Sequence, residues 1–246
     1  MLEYNKSVIG TPISANKDAA FLVNGYPKVP LTVDCVIFGF TDNTLKVLLI
    51  KSDLELYKDK LSLLGDMVQS NEDLDSAAHR VLLERTGMQN VYLEQVHTFS
   101  KVDRHPGGRV ITTVYASLLD FKNQELKIHE NELKWHAVNQ ITEMAFDHKH
   151  ILDVCYAWLQ KRIQEHPLAF SLLPEKFSLR QVQNVYEAIL GTQLDRRNFR
   201  KKFASMGLLI DTNEMEVNVT HRPGKLYKFD YAQYEISKRN WVGIDF

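Results

Sequence analysis

The strongest constraint on the fold lies in residues 178–229, which contain start and stop signals for two short helices in succession. Ser178 precedes an apolar run at helical spacing that ends at Gly191, and Asp195 precedes a second run that ends at Gly207. Ser and Asp side chains cap the first N–H groups of a helix, and glycine adopts the left-handed conformation that ends one. The sequence therefore predicts two consecutive helices joined by a short turn.

Two β-rich segments follow these helices, LLIDT at 208–212 and KLYKFDY at 225–231. Between them lies HRPGK at 221–225, a basic segment whose Pro and Gly favour a turn. Helix, turn, helix, strand, basic tip and strand is the element order of a winged helix-turn-helix. We therefore expect that fold here, with the basic tip as its wing.

Charge is distributed unevenly along the chain. The 30 Lys and Arg residues against 31 Asp and Glu give a net charge of -1, which excludes a highly basic chain of the histone type. Residues 1–170 carry 18 basic and 22 acidic side chains, a net of -4, whereas residues 171–246 carry 12 and 9, a net of +3. This asymmetry indicates a division of labour between two parts of the chain.

The second predicted helix carries most of the basic residues of its region. Phe199, Phe203 and Met206 fall three and four positions apart and predict its buried stripe. The basic residues and Asn198 then spread over the exposed side, where Arg can bond guanine bidentately and Asn can bond adenine in a major groove. The residues predicted to contact DNA are Arg180, Arg196, Arg197, Asn198, Arg200, Lys201, Lys202, His221, Arg222 and Lys225.

The preceding part of the chain is predicted to be a separate α+β domain. Its predicted elements are a hairpin of strands 33–40 and 45–51 around TDNT, a helix from Asp73 or Asp75 to Thr86 that Gly87 ends, strands at 91–100, 109–118 and 135–141, and a helix at 150–163. Pro167 and Pro174 interrupt the helical pattern and mark a boundary. We therefore predict an arm at 1–30, this domain at 31–165, and a linker with the winged helix at 166–246.

The first helix of that domain and its flanking loops resemble the Nudix box, G-x5-E-x7-R-E-U-x-E-E-x-G-U, in which U is a bulky aliphatic residue. The chain matches this signature at Glu72, Arg80, Leu82, Glu84, Gly87 and Met88, and departs from it at Asp66, Val81 and Arg85. The resemblance implies a Nudix fold, an α/β/α sandwich with a mixed sheet. It also implies that Glu72 and Arg80 brace the loop against the helix.

The departures fall where active members of that family hold metal. Positions 81, 84 and 85 share one helix face, where three carboxylates would bind divalent cations. Here that face carries Val81, Glu84 and Arg85, so we expect no metal site and no catalytic residue. Arg85 is expected to pair with Glu84 or to contact a ligand phosphate. A working Nudix hydrolase that takes another carboxylate from a loop is the alternative.

For two further polar segments, the sequence allows more than one role. The loop SKVDRHPGGR contains Arg104, His105 and Arg109, which either receive phosphate or sugar oxygens or belong to an exposed loop without a specific role. The segment FDHKH contains Asp147, His148 and His150, for which capping or hydrogen bonding is favoured over metal binding.

A degenerate Nudix box followed by a basic winged helix is a combination that resembles the Nudix-related transcriptional regulators. These include the NrtR type, which controls NAD metabolism genes, and sugar-responsive arabinose regulators. The runs FSLRQVQNVYEAILG and LDRRNFRKKF look like the DNA-binding segment of that family. The resemblance implies a homodimer on a near-palindromic double-stranded DNA operator, without a cofactor. It also implies a small effector, ADP-ribose or a sugar, for which the predicted binding residues are Arg104, Arg109, Glu84 and Arg85.

A third hypothesis is a protein-interaction module whose basic helix binds an acidic partner.

Cys35 and Cys155 lie in apolar runs without a CxxC spacing, which predicts two buried thiols in a reducing compartment. No run of about 18 apolar residues occurs, so no transmembrane helix is expected. Since the first residues also lack the pattern of a signal peptide, we predict a cytoplasmic protein.

Overall fold

The computed structural model describes residues 22–23, 26–52, 54–120, 133–238 and 243–244. Most of the arm predicted at 1–30 lies outside these ranges. The strands are β1 Leu22–Val23, β2 Tyr26–Pro27, β3 Leu31–Thr41, β4 Thr44–Lys51, β5 Leu61–Ser62, β6 Leu64–Met67, β7 Glu94–Phe99, β8 Ile111–Asp120, β9 Lys134–Ala137, β10 Phe177–Ser178, β11 Leu209–Met215 and β12 Lys225–Phe229. The α-helices are α1 Leu74–Thr86, α2 His148–Glu165, α3 Leu179–Leu190, α4 Arg196–Ser205 and α5 Tyr231–Ser237.

A mixed sheet forms the centre of the first domain. Its strands run in the order β5-β4-β3-β8-β7, with β6 also paired to β3 and β9 to β4. β3 and β8 are parallel, and the other pairs are antiparallel. The side chains of Val33 and Ile37 are buried with those of α1, whereas Val36 and Phe38 are buried with those of α2. The predicted α/β/α sandwich is therefore confirmed.

The hairpin predicted around TDNT joins β3 to β4. Thr41 lies opposite Thr44, so that Asp42 and Asn43 form a two-residue turn. Their φ angles of 50° and 56° lie in the left-handed region that this kind of hairpin turn requires. Asn and Asp enter that region more readily than other non-glycine residues, which explains why the sequence predicts this turn well.

The caps of α1 decide between the two starts that the sequence left open. Asp73, rather than Asp75, is the N-cap, and its side chain accepts a hydrogen bond from the N–H of Ser76 at 2.8 Å. Gly87 ends the helix with a φ of 73°, as predicted. The Nudix-box helix therefore has the predicted bounds.

A close approach between β3 and β6 requires glycine at position 65. Gly65 lies opposite Asp34, and a Cβ at this position would lie 2.2 Å from the Asp34 Oδ1 atom. Asp34 is buried and accepts a hydrogen bond of 2.6 Å from the Thr112 hydroxyl. The chain thus has its glycine one position before the glycine of the Nudix box, where the buried carboxylate needs the space.

The winged helix follows the predicted element order. Ser178 and Gln181 form a capping box at the start of α3, and Asp195 caps α4. A three-stranded sheet in the order β10-β12-β11 covers the helices, and the connection between β11 and β12 carries the segment HRPGK. The wing is therefore placed as the sequence predicts, although β11 extends to Met215.

The boundary segment is packed rather than extended. A 3-10 helix runs from Leu168 to Leu172, and its Phe170 is buried in one apolar cluster with Leu159 of α2 and Phe203 of α4. Because this cluster continues from the sheet into the winged helix, the two domains share buried surface.

Polar contacts add to this packing between the domains. The Gln160 side chain of α2 donates hydrogen bonds to the carbonyls of Ile189 and Leu190, at 3.2 and 3.1 Å, and so caps the end of α3. The Asn184 side chain of α3 donates to the Asn43 Oδ1 atom at 2.9 Å, in the turn between β3 and β4. These contacts attach the first helix of the winged helix to two separate parts of the Nudix-like domain.

Both cysteines are free and buried, as predicted, and burial raises the pKa of each thiol. Within the described ranges, no helix combines the length and the apolar character needed to cross a membrane.

Candidate DNA interface and effector site

The helix α4 buries its aromatic residues and exposes its cations, as predicted. Phe199 and Phe203 each expose 1% of their surface, and their rings stack with centroids 4.4 Å apart. Met206, the third member of the predicted stripe, is partly buried. The arginines of α4 therefore point into solvent, where a nucleic acid can reach them.

A groove of about 970 Å³ lies between the start of α3, the start of α4 and the wing. Seven of the ten residues predicted to contact DNA line this groove, namely Arg180, Arg196, Arg197, Arg200, His221, Arg222 and Lys225. The remaining three, Asn198, Lys201 and Lys202, lie on α4 outside its lining. The start of α3, the start of α4 and the wing thus contribute to one cationic surface, which we name the cationic groove.

One cation of the cationic groove is already paired within the wing. The Lys225 Nζ atom lies 2.7 Å from the Asp211 Oδ2 atom, and this hydrogen bond raises the pKa of Lys225 while it lowers that of Asp211. Lys225 therefore attracts a phosphate less strongly than a cation without an adjacent carboxylate would.

The cationic groove also contains residues that the sequence did not identify. Met215, Glu216 and Tyr227 belong to its lining. The sequence held one signal for Glu216, a charged residue five positions before the wing segment HRPGK. Nothing in the sequence shows that this carboxylate turns toward the start of α3.

The Nudix-box loop is braced against α1 as predicted. The Arg80 Nε and Nη2 atoms donate hydrogen bonds to the Glu72 carboxylate at 3.0 and 2.7 Å. Nη2 also donates to the Met67 carbonyl at 2.9 Å, and Nη1 donates to Glu84 at 3.1 Å. The hydrogen bonds from Arg80 hold the pKa of Glu72 below its usual range, so the pair is fully ionised at neutral pH.

The helix face that holds metal in active Nudix proteins has other contacts here. Val81 exposes 1% of its surface and packs in the core with Ala78 and Leu82. Glu84 bonds to Arg80, as described above, and the Arg85 Nη2 atom lies 3.9 Å from Asp66. This face of α1 therefore presents two charged groups. One is the Glu84 carboxylate, which is already paired with Arg80, and the other is the Arg85 guanidinium.

Arg104, which the sequence analysis assigns to the effector site, has a carboxylate partner within the protein. Its Nε and Nη2 atoms donate to both carboxylate oxygens of Asp147, at 3.0 and 2.8 Å, and its side chain is 4% exposed. This bidentate pair fastens the loop before β8 to the start of α2. Arg104 is therefore largely committed to a partner in the protein, 43 residues away.

Arg109, the other arginine of that loop, is exposed. Two residues later, Ile111 donates its N–H to the Pro30 carbonyl, and the neighbouring Leu31 carbonyl accepts from Val68. The loop that carries Arg109 and the Nudix-box loop therefore meet at the same end of the sheet.

The segment FDHKH has the hydrogen-bonded role that the sequence favoured. The His148 Nδ1 atom accepts from the N–H of Leu63 at 3.1 Å and lies 3.1 Å from the Ser62 hydroxyl. Burial lowers the pKa of His148, which keeps the ring neutral at pH 7. Asp147 pairs with Arg104 instead of capping α2, and across the described ranges no three His, Cys, Asp or Glu side chains are grouped so as to hold a metal.

The brace between Arg80 and Glu72 predicts a pH-dependent effect. Since folding lowers the pKa of Glu72, its contribution to stability is present above its ordinary value of 4.5 and is lost as pH falls through the folded value. Glu72→Gln should therefore lower the melting temperature at pH 7 and change it much less at pH 3. Glu143→Gln removes a charge that is 80% exposed and should change little at either pH. Equal losses at both pH values would contradict this account.

The fold and the surface define a class of protein, a Nudix-fold domain joined to a winged helix with a cationic groove. Comparison with family models agrees with both parts. Residues 28–159 match the NUDIX domain, and residues 169–229 match the NrtR DNA-binding winged helix domain. The chain belongs to the NrtR family of Nudix-related transcriptional regulators.

Relatives of known description support this assignment over nearly the whole length. The ADPR responsive transcriptional repressor NtrR of Acinetobacter baylyi is 32% identical over 234 residues, which cover 92% of this chain and 93% of that protein. The crystal structure of Shewanella oneidensis NrtR complexed with a 27mer DNA has a TM-score of 0.69 at 26% identity, and covers 86% of this chain and 96% of that chain. The cocrystal structure of the NUDIX domain of Shewanella oneidensis NrtR complexed with ADP ribose has a TM-score of 0.51 at 25% identity. The match covers 60% of this chain and 99% of that domain's chain.

Proposed function

We propose that this chain is an ADP-ribose-responsive transcriptional repressor that acts on genes of NAD metabolism. The observation that carries the proposal is the cationic groove, which joins the exposed arginines of α4 to the wing and lies on a domain packed against a Nudix fold. Relatives that cover this combination of domains are described as an ADPR responsive repressor and as a protein complexed with DNA. We propose a homodimer, since one winged helix on each subunit matches the two halves of a near-palindromic operator.

Within this proposal, α4 is the recognition helix. Arg196, Arg197 and Arg200 reach base edges, and Asn198 is available for adenine. The wing residues His221 and Arg222 contact phosphate or the minor groove. Arg180, Lys201, Lys202 and Lys225 contact the phosphate backbone.

The effector is proposed to bind where the loop with Arg109 meets the Nudix-box loop. Arg109 is exposed there and can pair with a phosphate of ADP-ribose. We propose Arg85 and Glu84 as further effector contacts on α1. Arg104, with two of its five N–H donors on Asp147, is proposed to contribute mainly by holding the loop in place.

The Nudix domain is proposed to sense rather than to hydrolyse. A Nudix metal centre needs several free carboxylates on α1, and this face offers buried Val81, Arg85, and Glu84 already bonded to Arg80. These residues do not fit a hard divalent cation, because a guanidinium cannot lose its proton to become a ligand.

A hydrolysis assay checks this part of the proposal. We expect no AMP to form from ADP-ribose and Mg²⁺ above the protein-free blank, and no difference between the wild type and Glu84→Gln. Release of AMP that depends on Mg²⁺ and disappears in Glu84→Gln would instead favour the working hydrolase.

The response to the effector can travel through the packed contact between the domains. Gln160 of α2 holds the end of α3, and Asn43 of the Nudix-like domain holds Asn184 of α3. A shift of the sheet or of α2 on effector binding therefore moves the winged helix and, in a dimer, changes the distance between two recognition helices.

The direct test of DNA binding is a gel shift with duplex DNA from the region upstream of the chain's own gene. We expect a retarded complex whose affinity falls steeply as salt is raised, since the cationic groove releases counterions from the phosphates. Failure to shift any native promoter would contradict the repressor. Binding to an acidic protein without any shift of DNA would support the interaction-module hypothesis.

A further inference from the structure

An acidic side chain lies in the cationic groove without a role in the DNA contacts proposed above. Asp195 and Glu216 both line the groove. Asp195 is accounted for, because it caps α4. Glu216 follows β11, and only 11% of its side chain is exposed, although the groove around it is positively charged.

The Glu216 carboxylate connects the base of the wing to the start of α3. Its Oε2 atom accepts a hydrogen bond from the N–H of Gly224 at 2.9 Å, and its own N–H donates to the Gly224 carbonyl at 2.9 Å. A Cβ built at Gly224 would lie 3.0 Å from the same Oε2 atom and 3.6 Å from the Cβ of Ser178, the N-cap of α3, so the carboxylate and the start of α3 meet at Gly224. The His221 Nδ1 atom of the wing lies 4.0 Å from this Oε2 atom.

The surroundings keep this carboxylate ionised. Burial alone would raise the pKa of Glu216, but the nearby Ser178 hydroxyl, the N–H of Gly224, the His221 ring and the Arg180 guanidinium lower it. The pKa of Glu216 therefore lies below its usual range, and the negative charge is present at neutral pH. A charge-assisted hydrogen bond of this kind is about twice as strong as one between neutral groups.

We propose that Glu216 is a positioning residue, which fixes the wing against the start of α3 and thereby sets where His221 and Arg222 meet DNA. The inference rests on the proposed DNA-binding function. Without this contact, the base of the wing would be held by the pairing of β12 with β10 and β11, and the tip that carries His221 and Arg222 would be less firmly positioned relative to α4. The carboxylate has a second effect, since its negative charge lowers the affinity of the cationic groove for DNA of any sequence.

Three variants separate positioning from charge. Glu216→Ala removes both the charge and the hydrogen bonds, and Glu216→Gln removes the charge but keeps an oxygen that accepts from Gly224. Glu214→Ala is the matched control, because Glu214 lies two positions before Glu216 near the end of β11, is 49% exposed and pairs with Lys176 outside the groove lining. All three variants add one positive unit to the net charge.

Binding is measured by fluorescence anisotropy with two probes, the duplex that the wild-type protein selects from a random library and a random-sequence duplex of equal length. Glu216→Ala should bind the selected duplex about 10-fold more weakly, while Glu216→Gln and Glu214→Ala stay within about threefold of the wild type. All three should bind the random duplex slightly more tightly. Matching melting temperatures show that the comparison concerns folded proteins.

A double-mutant cycle with Arg222→Ala tests the positioning directly. Arg222→Ala should weaken binding in the wild type and have little further effect in Glu216→Ala, since the wing has already lost its position. Additive effects, or equal affinities of Glu216→Ala and Glu214→Ala for the selected duplex, would overturn the inference. If the wild-type protein selects no duplex at all, the proposed function itself fails, and that result is distinct from either outcome.

Discussion

The double substitution Arg197→Ala and Arg200→Ala is expected to weaken operator binding by roughly 100-fold or more. Both side chains project from α4 into the cationic groove, and both are exposed. An arginine that bonds a guanine bidentately contributes about 1–3 kcal/mol to discrimination between bases, and about 1.4 kcal/mol corresponds to a factor of 10 in affinity. Two such contacts therefore account for the expected loss, and specificity should relax at the base pairs that they read.

The matched control removes two positive charges elsewhere. Lys60→Ala and Lys161→Ala together alter side chains that are 51% and 75% exposed and lie in the first domain. This control should change operator affinity by less than about threefold, since charges beyond a Debye length of about 8 Å are screened at physiological salt. Equal losses in the two double variants would show that net charge, and not the position of the arginines, determines binding.

The variant Phe203→Ala should lower the free energy of unfolding by about 3–5 kcal/mol, the usual cost of truncating a buried phenylalanine. Phe203 exposes 1% of its surface. Its ring contacts Phe199, Tyr186 and Phe170, with centroid distances of 4.4, 5.5 and 6.2 Å. The cavity would open where the winged helix packs on the boundary segment, so DNA binding should fall with stability.

Ser205→Ala on the same helix is the control for this prediction. Ser205 is exposed, and its substitution should change stability by no more than about 0.5 kcal/mol. Chemical denaturation followed by circular dichroism measures both variants. A loss below about 1 kcal/mol for Phe203→Ala would mean that Phe203 is not part of a tightly packed core.

Local sequence signals predicted most of the fold. Ser178, Asp195 and Gly191 bound the helices of the winged helix, and Asp42 with Asn43 forms the hairpin turn. These features depend on backbone preferences of single residues and their immediate neighbours, so a single sequence reveals them. The brace between Glu72 and Arg80 was also predicted, because the resemblance to the Nudix box fixes the spacing of the two residues.

Contacts between distant segments could not be read in the same way. The composition of its loop suggests that Arg104 binds phosphate. In the structure, however, Arg104 donates two hydrogen bonds to Asp147, which lies 43 positions later. The Glu216 carboxylate lies near Ser178 because β10, β11 and β12 form one sheet. Charge and spacing along the chain do not determine which of several polar residues meet after folding.

We expect ADP-ribose bound to the Nudix domain to control DNA binding by the winged helix. The most direct measurement is a fluorescence anisotropy titration of the full chain on its own upstream duplex, at fixed salt, with and without saturating ADP-ribose. ADP-ribose should change the DNA affinity by at least about fivefold, the lower end of common allosteric coupling, and Arg109→Ala should reduce this change. Unchanged affinity with ADP-ribose would contradict the account, and a response to arabinose instead would assign the chain to the sugar-responsive regulators.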